Sequence, residues 1–219
     1  MQFFITSTGT DIGKTFVLED LCRQLIVGGE KVSAIKPVIS GFRDDDPNSD
    51  SAKILKIFNR RPSKENLDQI SPYRFLAPLS PNIAANLENK NINFVELKNF
   101  CQKEISKAKQ NNEYLLIEGA GGVMTPINND KTFADLILEL EVPVILVIGN
   151  YLGTISHTLT AIKAMQSYQI KISQIILNCR DFDNVDASDT VKTLQGFTDI
   201  VININSRDNF CLQNSSKKD

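Results

Sequence analysis

Residues 2–15 read QFFITSTGTDIGKT. The apolar run Gln2–Ser7 has the composition of a buried strand, the glycines at 9 and 13 mark a tight loop, and Lys14-Thr15 opens a helical pattern. A triphosphate needs many hydrogen-bond donors in a positive field, and the backbone N–H groups of such a loop and of the helix's first turn supply both. In that arrangement Lys14 reaches the β and γ phosphates and the Thr15 hydroxyl sits on Mg²⁺. The usual GxxxxGK[ST] pattern has Gly where this chain has Thr8. The strand before and the helix after supply the context that separates a phosphate loop from a glycine turn beside a solvated lysine. The chain is expected to bind a nucleoside triphosphate with magnesium.

Working outward, short Ile-, Leu- and Val-rich runs alternate with helical patterns, the sequence form of a parallel sheet with crossover helices on both faces. The runs are Gln2–Ser7, Val32–Lys36, Tyr114–Glu118, Val144–Gly149, Ile172–Leu177 and Ile200–Ile204. Their near-continuous apolar content suits strands covered on both sides. Leu18, Leu21, Cys22 and Leu25 follow a helical stripe that Gly28-Gly29 stops. The expected architecture is a single α/β domain of the P-loop NTPase type over residues 1–204, with a polar tail at 205–219 read as disordered. Residues 40–94 break the rhythm with Asp44-Asp45-Asp46, five of the chain's eight prolines and helical patterns around Ser51–Phe58 and Asn82–Leu87. An insertion of that length is usually functional.

Bulk properties narrow the function classes. A chain of 219 residues buries enough surface to need no disulfide or metal staple. With 24 basic and 26 acidic residues and no basic block beyond Lys217-Lys218, it shows no nucleic-acid or membrane face. Four cysteines without CxxC spacing and one histidine argue against zinc and against a disulfide framework. The N-terminus lacks signal-peptide form, and Val142–Gly149 is too short to span a bilayer. A soluble, cytoplasmic protein is expected.

Four further segments carry chemistry. In YLLIEGAGG, residues 114–122, a strand ends in Glu118, where a carboxylate beside a phosphate loop can hold Mg²⁺. Lys36 closes the second strand in KPVISG, residues 36–41; read alone it is equally a solvated lysine ahead of a proline turn or a second cation in the ligand crevice. Asp50, in PNSD, read alone is the end of a solvated acidic loop. In YLGTISH, residues 151–157, a helix starts near Thr154 and runs to Tyr168. Its free N–H groups could hold a substrate carboxylate, or be capped by its own Thr or Ser. His157 reads as a surface or core residue rather than a catalytic base.

Taken together these segments resemble the dethiobiotin synthetase family, ATP-dependent ring-closing enzymes of biotin synthesis. The likeness runs to Asn178 and rests on the loop, on KPVISG, NSD, PYRFLAPLSP at 72–81, EGAGGVMTP at 118–126, PVILV at 143–147 and LGTISH at 152–157. It implies a reaction in which diaminopelargonic acid and CO₂ form a carbamate that ATP phosphorylates before the second amine closes a cyclic urea. It further implies that Lys36, Thr10 and Ser40 hold the carbamate and that Lys14 bridges it to the γ-phosphate. Thr15, Asp50 and Glu118 would take Mg²⁺. Gly9, Thr10, Asp11, Ile12, Gly13, Lys14, Thr15, Glu118, Gly121 and Asn178 would bind the nucleotide. Backbone at Gly153, Thr154, Ile155 and Ser156 would take the distal carboxylate, in a pocket completed by a homodimer.

The chain departs from the family at Ser7, usually Gly, and at Gly9, usually Asp. It also lacks the Gly-x-x-Pro segment and later Glu that frame adenine, so GTP or CTP is expected partly to replace ATP. The alternative from another class is a nucleotide-switched regulatory ATPase of the partitioning or division-site type. Those carry a lysine early in the loop, where this chain has Gly9. Amide-forming relatives of cobalamin synthesis need a glutaminase domain for which 219 residues leave no room.

Overall fold

A computed structural model describes residues 1–44, 46–180 and 185–205. In chain order the elements are β1 (Gln2–Ser7), α1 (Lys14–Val27), β2 (Val32–Ile35), β3 (Val38–Ser40), α2 (Asp50–Ile57), α3 (Lys64–Ile70), β4 (Tyr73–Phe75) and α4 (Pro81–Leu87). There follow α5 (Phe94–Gln110), β5 (Tyr114–Glu118), α6 (Phe133–Leu140), β6 (Val144–Gly149), α7 (Thr154–Ser167), β7 (Ile172–Asn178), α8 (Ala187–Gln195) and β8 (Ile202–Asn205). The main sheet has the order β2-β5-β1-β6-β7-β8, and every pairing in it is parallel.

All six residues of β6 are buried, as are the last four of β1 and of β5, which is why these strands read as unbroken apolar runs. On α1 the stripe Val17, Leu18, Leu21, Cys22 and Leu25 packs onto the sheet, and Gly28 caps its end with its N–H on the Gln24 carbonyl, 2.9 Å. Phe4 and Phe133 meet in the core with ring centroids 6.3 Å apart. The chain runs from β1 through α1 to one side of the sheet, and from β5 crosses to the other side at β6. The loop after β1 therefore lies at a switch in strand order, where open parallel sheets place ligands.

Residues 40–94 fold into α2, α3 and α4 with a second, two-stranded parallel sheet of β3 and β4. The expected helices at Ser51–Phe58 and Asn82–Leu87 are α2 and α4. The sequence reading missed α3 and the three-residue strands, which are too short for a periodic pattern to register. Gly41 leaves β3 at φ 73°, and a side chain there would press on Pro78 at 3.1 Å.

Two strand ends correct the sequence reading. The second strand stops at Ile35, because the Lys36 N–H turns to the Ile70 carbonyl, 3.0 Å, and leaves the ladder. The last strand is Ile202–Asn205 rather than 200–204. Asn205, expected as the first tail residue, pairs in register with Asn178. The rest of the expected tail, 206–219, and Asp45 of the acidic loop lie outside the described residues. Among the described residues no helix is long and apolar enough to cross a membrane. Cys22 and Cys101 are buried, free thiols.

Candidate active site

The loop after β1 folds around its own lysine. The Ser7 hydroxyl, fully buried, lies 2.5 Å from the Gly9 carbonyl and 3.1 Å from that of Gly121, its two possible acceptors. It accepts from the Gly9 N–H at 3.3 Å and from Lys14 Nζ at 3.2 Å. Lys14 also donates to the Gly9 carbonyl, 3.3 Å. Asp11 sits at φ 56° and Gly13 at φ 99°, left-handed turns that bend the backbone into a cradle. The glycines after Glu118 close against this loop: the Val123 N–H donates to the Ser7 carbonyl at 3.1 Å. A side chain on Gly122 would meet Ser7 O at 3.2 Å and Gly9 N at 3.3 Å.

Two strand ends and one helix start bring the charged groups together. Lys36 comes from the end of β2, Glu118 from the end of β5, and Asp50 from the first turn of α2, whose N-cap Ser49 accepts the Ala52 N–H. Lys36 Nζ pairs with Glu118 Oε1 at 2.7 Å and with Asp50. The Thr15 hydroxyl donates to the same Glu118 oxygen at 2.7 Å. Glu118 is 0% exposed, and its Oε2 has no partner.

Burial lowers the Lys14 pKa to about 8 against the pull of Glu118, with Lys36 pushing the same way as burial. For Lys36 burial works in that direction too, but Glu118 and Asp50 outweigh it and hold the ammonium above the usual lysine value. Burial pushes the Asp50 carboxyl up, while Lys36, helped by Thr15, pulls it below the usual carboxylate range. Both cations are therefore available to anions, Lys14 at a cost that a phosphate would relieve.

These groups line a cavity of about 1210 Å³, above the ~300–1,000 Å³ usual for one small ligand and roomy enough for a nucleotide with a second substrate. Gly9, Thr10, Asp11, Gly13, Thr15 and Gly121 line it on the side of the loop after β1. Lys36, Ser40, Asp50 and Glu118 form the other. Buried hydroxyls of Thr8 and Ser40 are left without partners, and such orphans in a cavity await a ligand.

The donor set fits magnesium. Thr15, Asp50 and Glu118 offer hard oxygens, and the unpartnered Glu118 Oε2 has capacity to spare. Among the described residues no group of three or more His, Cys, Asp or Glu forms a metal cluster. Few protein ligands, with water and phosphate oxygens completing the shell, is the habit of Mg²⁺.

Not every expected residue reaches this cavity. Gly153, Thr154, Ile155 and Ser156 are outside its wall, to which α7 contributes His157 and Thr160 instead. Gly153 is the N-cap of α7 at φ 100° and has no side chain to cap it, while the Thr154 hydroxyl donates to the Gly149 carbonyl, 2.5 Å. The first-turn N–H groups are thus left without a side-chain partner beside Leu152, which is 94% exposed. His157 is exposed, with Nδ1 2.8 Å from the Tyr151 hydroxyl. Asn178 lies behind the loop: its Nδ2 donates to the Ile12 carbonyl at 2.9 Å. Sequence reasoning missed Thr8, Lys53 and Ser7's part as a hub, although Ser7 stood out as a departure from the family's glycine.

Comparison with known proteins agrees with this geometry. A family profile described as an AAA domain matches residues 1–203. The ATP-dependent dethiobiotin synthetase BioD of Caulobacter sp. (strain K31) is 41% identical over 197 residues, 90% of this chain and 83% of that protein. The protein of that name from Methanocaldococcus jannaschii is 35% identical over 178 residues, 81% and 79% of the two chains. Among solved structures, chloroplast FtsY from Physcomitrella patens superposes with a TM-score of 0.56 at 15% identity, covering 92% of this chain and 57% of its own. MinD in the MinC:MinD complex of Aquifex aeolicus gives 0.54 at 17% identity, covering 89% and 77%. At such identities the structural likeness establishes the P-loop fold alone.

Proposed function

The chain belongs to the ATP-dependent dethiobiotin synthetase family, and from that premise we propose that it converts 7,8-diaminopelargonic acid, CO₂ and ATP to dethiobiotin, ADP and phosphate. The observation that carries this reading is the second buried ammonium: Lys36, 2.7 Å from Glu118 and paired with Asp50, opens into the same cavity as Lys14. A nucleotide switch has no use for a cation there, whereas an anionic co-substrate beside a triphosphate requires one.

In this reading one amine attacks CO₂ and loses a proton to give a carbamate, held by Lys36 with the hydroxyls of Thr10 and Ser40. The unpartnered, buried Ser40 hydroxyl suits that task. Lys14 leaves Ser7 and bridges the carbamate and the γ-phosphate. A carbamate oxygen takes the phosphoryl group from ATP, ADP departs, and the second amine attacks the mixed anhydride carbon. Phosphate leaves and the urea ring closes. Thr15, Asp50 and Glu118 would hold Mg²⁺, whose charge offsets that of the triphosphate. The chain's own cations keep two anions in contact that would otherwise repel.

The uncapped start of α7, at Gly153–Ser156, supports a site for the distal carboxylate. Since these residues are not part of the wall of their own chain's cavity, they would serve a second copy in a homodimer. The test is direct: incubate the protein with diaminopelargonate, bicarbonate, Mg²⁺ and ATP and assay dethiobiotin by mass. ATP hydrolysis stimulated by DNA or lipid, with no dethiobiotin formed, would replace this reading with the regulatory ATPase.

A further inference from the structure

Helix α2 brings a third lysine to the cavity. Lys53 stands one helical turn after Asp50, on the same side of the helix, and lines the cavity with it. Its side chain is partly buried. Lys56, the next lysine of α2, is exposed and has no place in the cavity wall. A lysine of this helix is thus free to stay in solvent, and Lys53 does not.

The other two lysines of the cavity are engaged. Lys14 donates to the Ser7 hydroxyl and the Gly9 carbonyl, and Lys36 is held between Glu118 and Asp50. Lys53 acts on Asp50 through space, helping to draw its carboxyl down. Among the described residues its ammonium closes no ion pair. On the side of the cavity formed by Lys36, Ser40, Asp50 and Glu118, one ammonium faces two carboxylates. Without Lys53 that side is net negative, and with it the charges balance.

The proposed co-substrate changes sign on that side. A free alkyl amine is protonated at neutral pH. To react it gives up one proton to solvent, its nitrogen forms a bond to the carbon of CO₂, and a second proton leaves for the buffer. The group passes from one positive charge to one negative charge. An ammonium in the wall repels the first form and attracts the second. We propose that Lys53 is a specificity-determining residue that favours the carboxylated diamine over the free one through its charge. This rests on the reading of the chain as a dethiobiotin synthetase. A change of two charge units felt across a partly wet cavity is worth about tenfold in affinity at low salt.

Calorimetric titration of the nucleotide-free full chain with diaminopelargonate, in degassed buffer and in the same buffer with bicarbonate, reads the preference as an enhancement ratio. The unmodified chain should bind about tenfold or more tighter with bicarbonate. In Lys53→Met that ratio should fall by about fivefold or more, with affinity in degassed buffer unchanged or improved. Lys53→Arg should restore it, and MgATP affinity should stay within about threefold in both variants. A purely structural role would weaken both titrations alike and leave the ratio where it was. An equal ratio in Lys53→Met and the unmodified chain would overturn the proposal, as would a folded Lys53→Arg that fails to restore it. Should Lys53→Met not fold, Lys53→Gln carries the same comparison. An unmodified chain that binds MgATP but no diaminopelargonate in either buffer would remove the enzymatic reading, and this one with it.

Discussion

Replacing Lys36 by methionine keeps the length of the side chain and removes its charge. Glu118 is fully buried with one oxygen 2.7 Å from Lys36 Nζ, and Asp50 shares the same ammonium. At an effective dielectric near 20 a pair at that distance attracts by about 6 kcal/mol before desolvation is counted. Losing one partner of a buried pair costs about 3–5 kcal/mol, since the other charge stays behind uncompensated. For a domain of this size that is a fall in Tm of roughly 6–20 °C, measured by circular dichroism at pH 7. The pH dependence has a defined sign. In the parent chain Asp50 is held below its unfolded value, so its contribution is present above that value and is lost as pH falls through the folded one. The Lys36 contribution is present below the unfolded lysine value and is lost as pH rises through its raised folded one. In Lys36→Met burial still pushes the Asp50 carboxyl up, and with Lys36 gone only Thr15 and Lys53 oppose it. The deficit should therefore narrow as the pH falls. Adding Glu118→Gln should restore part of the loss. A Tm within about 2 °C of the parent at pH 7, or a double variant as unstable as the single one, would refute the reasoning. On the activity side, dethiobiotin formation should vanish while MgATP affinity stays within about threefold, because Lys36 faces the co-substrate. A collapse of ATP affinity would show that Lys36 is misplaced in this account.

Lys14, lowered to about 8, makes triphosphate binding a proton-linked event. Its depressed folded value costs stability at low pH, and the cost is relieved as pH rises from about 8 toward the unfolded 10.5. Phosphate restores the charge, so at pH 8 ATP should take up roughly half a proton, read from calorimetry in buffers of different protonation enthalpy; no uptake would contradict the buried placement. Ser7→Gly removes one of the two partners of Lys14 in the empty loop. It should lower stability by about 1–2 kcal/mol without nucleotide and by less at saturating MgATP. An identical fall in both conditions would mean that Lys14 does not leave Ser7.

The strands β1, β5 and β6 were legible because burial on both faces keeps their middles apolar, with polar residues only toward the ends. So was the loop at 7–15, where strand, glycines, lysine and threonine follow one another without a gap. The pair β3–β4 was not, since three residues carry no period. Single-segment reading leaves Lys36 undecided and gives Asp50 to a solvated loop for a related reason. The partners of Lys36 lie 14 and 82 residues away, and only tertiary structure or a family likeness can bring them together. Asn205 reads as the first tail residue because the run 200–204, with its alternating INI, ends one residue before it. On a half-exposed edge strand that alternation is the expected pattern. Ser7 was noticed as a departure, but nothing in the sequence says that its hydroxyl would gather four backbone and side-chain contacts.

Gly122 packs so closely on the backbone of Ser7 and Gly9 that neither loop can change shape alone. The segment carrying Glu118 and the segment carrying Lys14 thus share one history of permitted substitutions. A bulkier residue at Gly122 needs an accommodating change across the contact, and a change at Ser7 or Gly9 is judged against the glycines opposite. Effects measured at these positions one at a time will not sum.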